Sequence, residues 1–106
     1  RVATDIVYAA AGEDQAARRR CRDEDPKSLL PVLRRPRLSP RTSSAGRLFD
    51  GVAAIVLGIE HSEFEGQPAM LLEAACDASA HGAYDCPINS DTVKQLDWRR
   101  LVRQLL

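Results

Sequence analysis

Ser39-Pro40-Arg41-Thr42-Ser43-Ser44-Ala45-Gly46-Arg47-Leu48-Phe49-Asp50 runs directly into Gly51-Val52-Ala53-Ala54-Ile55-Val56-Leu57-Gly58, and this stretch decides the fold reading. Ser43 and Ser44 each offer the side-chain oxygen that caps a helix N-terminus. From Ala45 to Leu57 the chain is at its most apolar. Leu48, Val52, Ile55 and Ile59 share one stripe at helical spacing, and Phe49, Ala53, Val56 and Leu57 fill much of the remaining circumference. A helix apolar nearly all round is expected to be buried nearly all round. Gly58 is the expected C-terminal stop.

Asp50 lies in the middle of that apolar helix. A buried carboxylate costs several kcal/mol unless a cation, hydrogen-bond donors or a ligand compensate it. Arg47, three positions earlier, shares its face. Gly46, Gly51 and Ala54 are small and leave room for a helix, a backbone segment or a ligand. Two readings stay open: an Arg47–Asp50 pair bracing helix contacts, or a ligand that donates to the carboxylate.

Upstream, Val2, Ile6, Ala9 and Ala10 form a helical stripe over Val2 to Ala11, with Asp5 suited to the positive end of the helix dipole. Gly12 interrupts it, and Glu13-Asp14 opens a second helix through Ala16, Ala17 and Arg18-Arg19-Arg20. Asp25-Pro26 caps and starts a third helix over Lys27 to Arg35, with Leu29, Leu30 and Leu33 inward and Pro31 confined to its first turn. Pro36 and Pro40 end it in an extended link. Downstream, Gly66-Gln67-Pro68 starts a helix carrying Met70, Leu71, Ala74, Ala75 and Ala78, ending near His81-Gly82. Ala83 to Ile88 and Thr92 to Leu96 flank Asn89-Ser90-Asp91 as a β-hairpin, with Pro87 at an edge or strand end. Asp97 caps a last helix whose inward residues are Trp98, Leu101, Val102 and Leu105. The expected fold class is therefore mainly α, five or six helices with one short β-hairpin.

A chain of 106 residues supports one small core. Arg1 opens it without a Met and Leu106 closes it inside an apolar helical pattern, so the expectation is an internal piece of a longer protein. Fifteen basic and fifteen acidic residues balance, which removes any whole-chain electrostatic argument for a nucleic-acid or membrane partner. Locally, residues 18 to 41 hold nine Arg and Lys against Asp23, Glu24 and Asp25; lacking interleaved aromatics, this stretch reads as a solvated face. Cys21, Cys76 and Cys86 have no metal-ligand spacing and fit a reducing cytoplasm. His61 and His81 are solitary, so no metal site is expected on this chain.

Gly66 in the Gly66-Gln67-Pro68 turn would let a ligand approach free backbone N–H groups, although the same tripeptide is a common helix start. Two motifs together decide between these readings. The stretch Ser39 to Asp50 with Val52-Ala53-Ala54 resembles the S-P-x-T-S-S-x-G-R-L-F-D-x-V-A-A segment of the HypF carbamoyltransferases of hydrogenase maturation. Phe64-Glu65-Gly66-Gln67-Pro68-Ala69-Met70, followed by Leu72-Glu73, resembles that family's [YF]-E-G-Q-x-A-x-x-L-E motif, in the right order and spacing. Similarity is strong over about residues 39 to 75 and weaker on both flanks, where Leu96-Asp97-Trp98-Arg99 also fits. Enzymes that make threonylcarbamoyl-adenosine in transfer RNA share the region distantly, with Gly-Gly where this chain has Gly66-Gln67. An O-carbamoyltransferase branch shares it too.

The resemblance implies that residues 1–106 are an internal helical segment of an actin-like ATPase (Kae1-like) α/β domain. Family members use carbamoyl phosphate and ATP to form carbamoyl-adenylate, and carbamoylate the C-terminal cysteine of HypE for the cyanide ligand of [NiFe]-hydrogenase. Asp50 matches a ribose-contacting aspartate, Gly66 and Gln67 a turn against the nucleotide, and Gly46 a small position beside it, with Arg47 in support. The family's histidine metal motif, glycine phosphate loops, metal-ligand aspartate and zinc-binding C-x-x-C motifs are absent from this sequence. The chain alone is therefore expected to lack activity, and its helix Ala45–Leu57 to risk dimerisation once separated. Alternatively, the chain is a small helical interaction module.

Overall fold

The computed structural model describes residues 2–18 and 25–106. Among them are six helices, α1 (Val2–Ala11), α2 (Glu13–Arg18), α3 (Pro26–Leu33), α4 (Ala45–Val56), α5 (Gln67–Ala74) and α6 (Arg99–Leu105), and two short strands, β1 (Ile88–Asn89) and β2 (Gln95–Leu96). The strands pair antiparallel, Ile88 opposite Leu96 and Asn89 opposite Gln95. The fold is mainly helical with one hairpin, as the periodicity indicates. The arginine run past Arg18, with Cys21, Asp23 and Glu24, lies outside the described residues.

Local chemistry sets the helix starts. Asp25 caps α3 by accepting the Lys27 N–H at 3.0 Å, and Ser28 Oγ donates to the Asp25 carbonyl at 2.7 Å. Of the two candidate serines, Ser44 caps α4 by accepting the Arg47 N–H at 3.4 Å. Its own N–H donates to Thr42 Oγ1 at 3.1 Å, which holds the chain ahead of the helix. Gly58 follows α4 at φ 68, the left-handed stop expected of it. At α6, Asp97 accepts the Arg99 N–H at 3.1 Å.

The core is organised around α1, which packs against α2, α3, α4 and α6. Ile6 and Ala10 meet Val102 of α6, with Leu48, Val52, Ile55, Trp98 and Leu101 against them. From another side of the same helix, Val7 meets Ala16 and Leu30, again with Ile55 against the cluster. Ile55 thus joins both clusters. Gly51 is the close-contact point of α1 and α4: a Cβ there would lie 2.5 Å from Ile6 Cδ1 and 3.2 Å from Cγ1.

Four expectations need correction. The most buried helix is α1, although Ala9 of its expected stripe is exposed, and not α4, which leaves Phe49 and Val56 about half exposed. Sequence apolarity measures what a helix can bury, and the number of packed neighbours decides what it does bury. Pro31 sits inside α3, past its first turn, where an exposed flank tolerates the lost N–H. Helix α5 ends at Ala74 rather than near His81, and its Met70 and Leu71 face solvent. Asp77 stops it by accepting both the Ser79 N–H (2.8 Å) and hydroxyl (2.7 Å), a local turn that competes with helical bonding. The hairpin is shorter than the flanking runs because the Asp85 N–H goes to Gln104 Oε1 (2.9 Å) and Asp85 Oδ2 to Arg100 (2.7 Å). Residues ahead of Pro87 are held to α6 instead of to a partner strand.

Candidate functional site

The two motifs fall on adjacent elements, since α5 packs against α4. On α4, Gly46 and Arg47 occupy the exposed first turn and Asp50 is half-buried one turn later. No ion pair joins Arg47 to Asp50 among the described residues, so the proposed brace is not formed. Both side chains keep contact with solvent, and an exposed pair gains too little to fix two side chains in one geometry. Nor is Asp50 enclosed by the apolar helix, since it is only half-buried. Its carboxylate is held shallowly, within reach of an incoming donor.

Ahead of α5, the chain turns sharply over residues 63–66. Gly66 takes φ 84, a conformation that L side chains rarely adopt, and its carbonyl accepts the Met70 N–H at 3.0 Å. Gln67 Oε1 accepts the Glu63 N–H at 2.7 Å, so the Gln67 side chain ties the turn together. The Gln67 N–H reaches the Phe64 carbonyl at 3.3 Å, and Pro68, buried behind the turn, has none to give. Among the described residues this leaves the Gly66 and Ala69 N–H groups and the Gln67 amide nitrogen unengaged at the positive end of α5.

The four candidate residues therefore differ in what fixes them. Gly66 is required by its backbone angle, and Gln67 serves the turn before any ligand. At Gly46 a Cβ would meet only Ser44 Oγ at 3.7 Å, so packing within this chain does not demand a glycine. Gly51 is the residue whose weight the sequence reading underestimated; a glycine inside an otherwise apolar helix was the available signal. The Arg99 guanidinium, with the Arg99 N–H, holds the Asp97 carboxyl down to about 2. Hydrogen bonds from Ser79 lower Asp77. No group of three or more His, Cys, Asp or Glu residues able to hold a metal ion occurs among the described residues.

Comparison with known proteins bears on what this arrangement is for. The family model described as carbamoyltransferase, Kae1-like domain, second subdomain, matches residues 1–106. The carbamoyltransferase HypF of Synechocystis sp. (strain ATCC 27184 / PCC 6803 / Kazusa) is 39% identical over 69 residues, covering 63% of this chain and 9% of that protein. This chain thus corresponds to a small part of the length of that relative. No solved structure matches. No helix among the described residues is long and apolar enough to cross a membrane.

Proposed function

The chain belongs to the carbamoyltransferase family of Kae1-like domains, whose second subdomain it matches throughout, and on that premise we propose that it forms one wall of a nucleotide site within a larger carbamoyltransferase. In this reading the whole protein uses carbamoyl phosphate and ATP to make carbamoyl-adenylate and transfers the carbamoyl group to the C-terminal cysteine of HypE, in the cytoplasm. Phosphate, metal and zinc contacts are supplied by sequence outside these residues, and the chain alone is inactive.

The observation that carries the proposal is Asp50, half-buried and without an ion-pair partner among the described residues, on a helix packed against α5, which the Gly66 turn opens. Vicinal ribose hydroxyls are donors at the spacing of a carboxylate's two oxygens, and hydrogen bonds to a charged acceptor are among the stronger ones. At the start of α5, the unengaged N–H groups of Gly66 and Ala69 and the amide nitrogen of Gln67 donate to the nucleotide's acceptor atoms. These residues bind and orient; none moves a proton or forms a bond. Gly46 keeps the start of α4 free of side chain, and Arg47 adds positive charge beside the site.

Asp50→Ala in the larger protein tests the role. Losing a charge-assisted hydrogen bond is worth roughly 1.5–3 kcal/mol, so the KM for ATP is expected to rise at least tenfold, while this chain's thermal midpoint holds because the carboxylate has no partner to lose. An unchanged KM, with carbamoyl transfer intact, removes Asp50 from the site.

A further inference from the structure

The nucleotide reading absorbs one arginine of the basic stretch, Arg47, and leaves the others without a role. From residue 26 to residue 49 the chain carries six Lys and Arg and no acid, so these charges find little compensation nearby in sequence. The structure separates them. Arg34 is neutralised by Glu13, its Nε donating to Oε2 at 3.1 Å and its Nη2 to Oε1 at 2.5 Å, which ties the end of α3 to the start of α2. Arg35, Arg37 and Arg41 are exposed, and no ion pair engages them among the described residues. Their backbone is nevertheless held. The Arg35 carbonyl accepts the Leu38 N–H at 2.9 Å and the Ser39 N–H at 3.1 Å, and Pro36 and Pro40 fix φ at two points of the segment. Leu38 sits in this turn at 51% exposure, an apolar side chain among arginines.

We propose that the segment from Arg35 to Arg41 is a docking surface for an acidic protein segment, whose Asp or Glu carboxylates take the guanidinium groups of Arg35, Arg37 and Arg41 while an apolar side chain covers Leu38. Residue type supports a carboxylate partner. Five of the six cations are Arg and only Lys27 is Lys; the planar guanidinium fork meets a carboxylate with two parallel bonds, which an ammonium does not. A turn already held by its own hydrogen bonds loses less freedom on binding than a loose chain. Nucleic acid fits this surface less well. No aromatic residue occurs between Tyr8 and Phe49 for bases to stack on, and residues 50 to 93 carry eight acids with no Lys or Arg, which repel a long polyanion from the same molecule. A short segment with a few carboxylates and one apolar residue meets neither obstacle. The inference stands apart from the nucleotide reading, because Arg35, Arg37, Leu38 and Arg41 have no part in that site.

Fluorescence anisotropy of a dye-labelled short peptide of alternating Glu and Leu, titrated with the chain, provides the test. The expected result is binding that weakens as salt rises, and none by the same peptide with Gln in place of Glu. Arg35→Gln, Arg37→Gln and Arg41→Gln should each weaken binding about threefold, the effect of one exposed ion pair, and together they should remove it. Leu38→Ala should weaken it about twofold. Arg34→Gln is the internal control: Glu13 already holds that charge, so binding should stay as it is. Helical circular dichroism should be the same in every variant, which separates lost contacts from lost folding. No binding by the unaltered chain, equal losses from Arg34→Gln and Arg37→Gln, or tighter binding of a single-stranded oligonucleotide than of the acidic peptide each overturns the proposal.

Discussion

Helix α1 and the stretch from Phe49 to Leu96 show what the same hydrophobic content does with and without neighbours. On α1, Ala3, Thr4, Ile6, Val7 and Ala10 are all buried, because α2, α3, α4 and α6 pack around it and leave only the Ala9 side exposed. In the second region, Met70, Ile88, Val93 and Leu96 are each more than half exposed, and α5 packs against no described helix or strand except α4. Small residues let four helices approach α1, while Met70 stands on a helix with one neighbour and Ile88 and Leu96 on a hairpin of two short strands. The family motifs fall mainly on that open side. Stability is concentrated in one half of the molecule and the candidate binding surface in the other.

Charge placed on each side should separate the two regions most sharply. Val7→Asp buries an unpaired carboxylate at a fully enclosed position, which costs on the order of 4 kcal/mol or more and should abolish folding. Val93→Asp, in the open region, should change the midpoint of urea unfolding by no more than about 0.5 kcal/mol equivalent. Similar losses for both would erase the contrast. At the seam, Gly51→Val drives a branched side chain into Ile6, and overpacking of this kind should remove about 2 kcal/mol in the same assay. Gly66→Ala forces a Cβ into the left-handed region, a penalty of roughly 1–2 kcal/mol. Because α5 has one neighbour, that loss should appear as faster amide exchange in α5 with little change in α1.

The pH response should be the smallest effect. Asp97 is held at about 2 by Arg99, below the ordinary carboxylate value. Its ionised form therefore stabilises the native chain at pH values above the ordinary pKa near 4, and the contribution fades as pH falls from about 4 towards about 2. Asp97→Asn should flatten the fall in thermal midpoint through that window and leave the neutral-pH slope alone. An unchanged acid limb would show that the Asp97–Arg99 pair does not couple to folding.

Much of this architecture was legible in the sequence because it rests on local chemistry. Asp25-Pro26, Ser44 and Gly58 mark helix ends through groups within three residues of the bonds they make. What escaped depends on distant partners or on competition. Asp77 diverts Ser79 away from the helical pattern, and Arg100 and Gln104 capture Asp85 away from the hairpin. The burial of α1 could not be read from its own residues, since Thr4 and Asp5 make it look half-polar. At the site, the motifs lie on two elements that pack together, α4 and α5, but the Gln67 bond to the Glu63 N–H could not be read from them, because it requires the turn itself.

The central claim is that the half-buried Asp50 of α4 serves a ligand and not the fold. Titration calorimetry of ATP into the larger carbamoyltransferase, with and without Asp50→Asn, isolates the charge while keeping the side chain's shape. The account predicts at least a tenfold weaker Kd, the equivalent of about 1.4 kcal/mol, with an unchanged thermal midpoint in the absence of nucleotide. An unaltered Kd, or a loss of stability in step with the loss of binding, would contradict it.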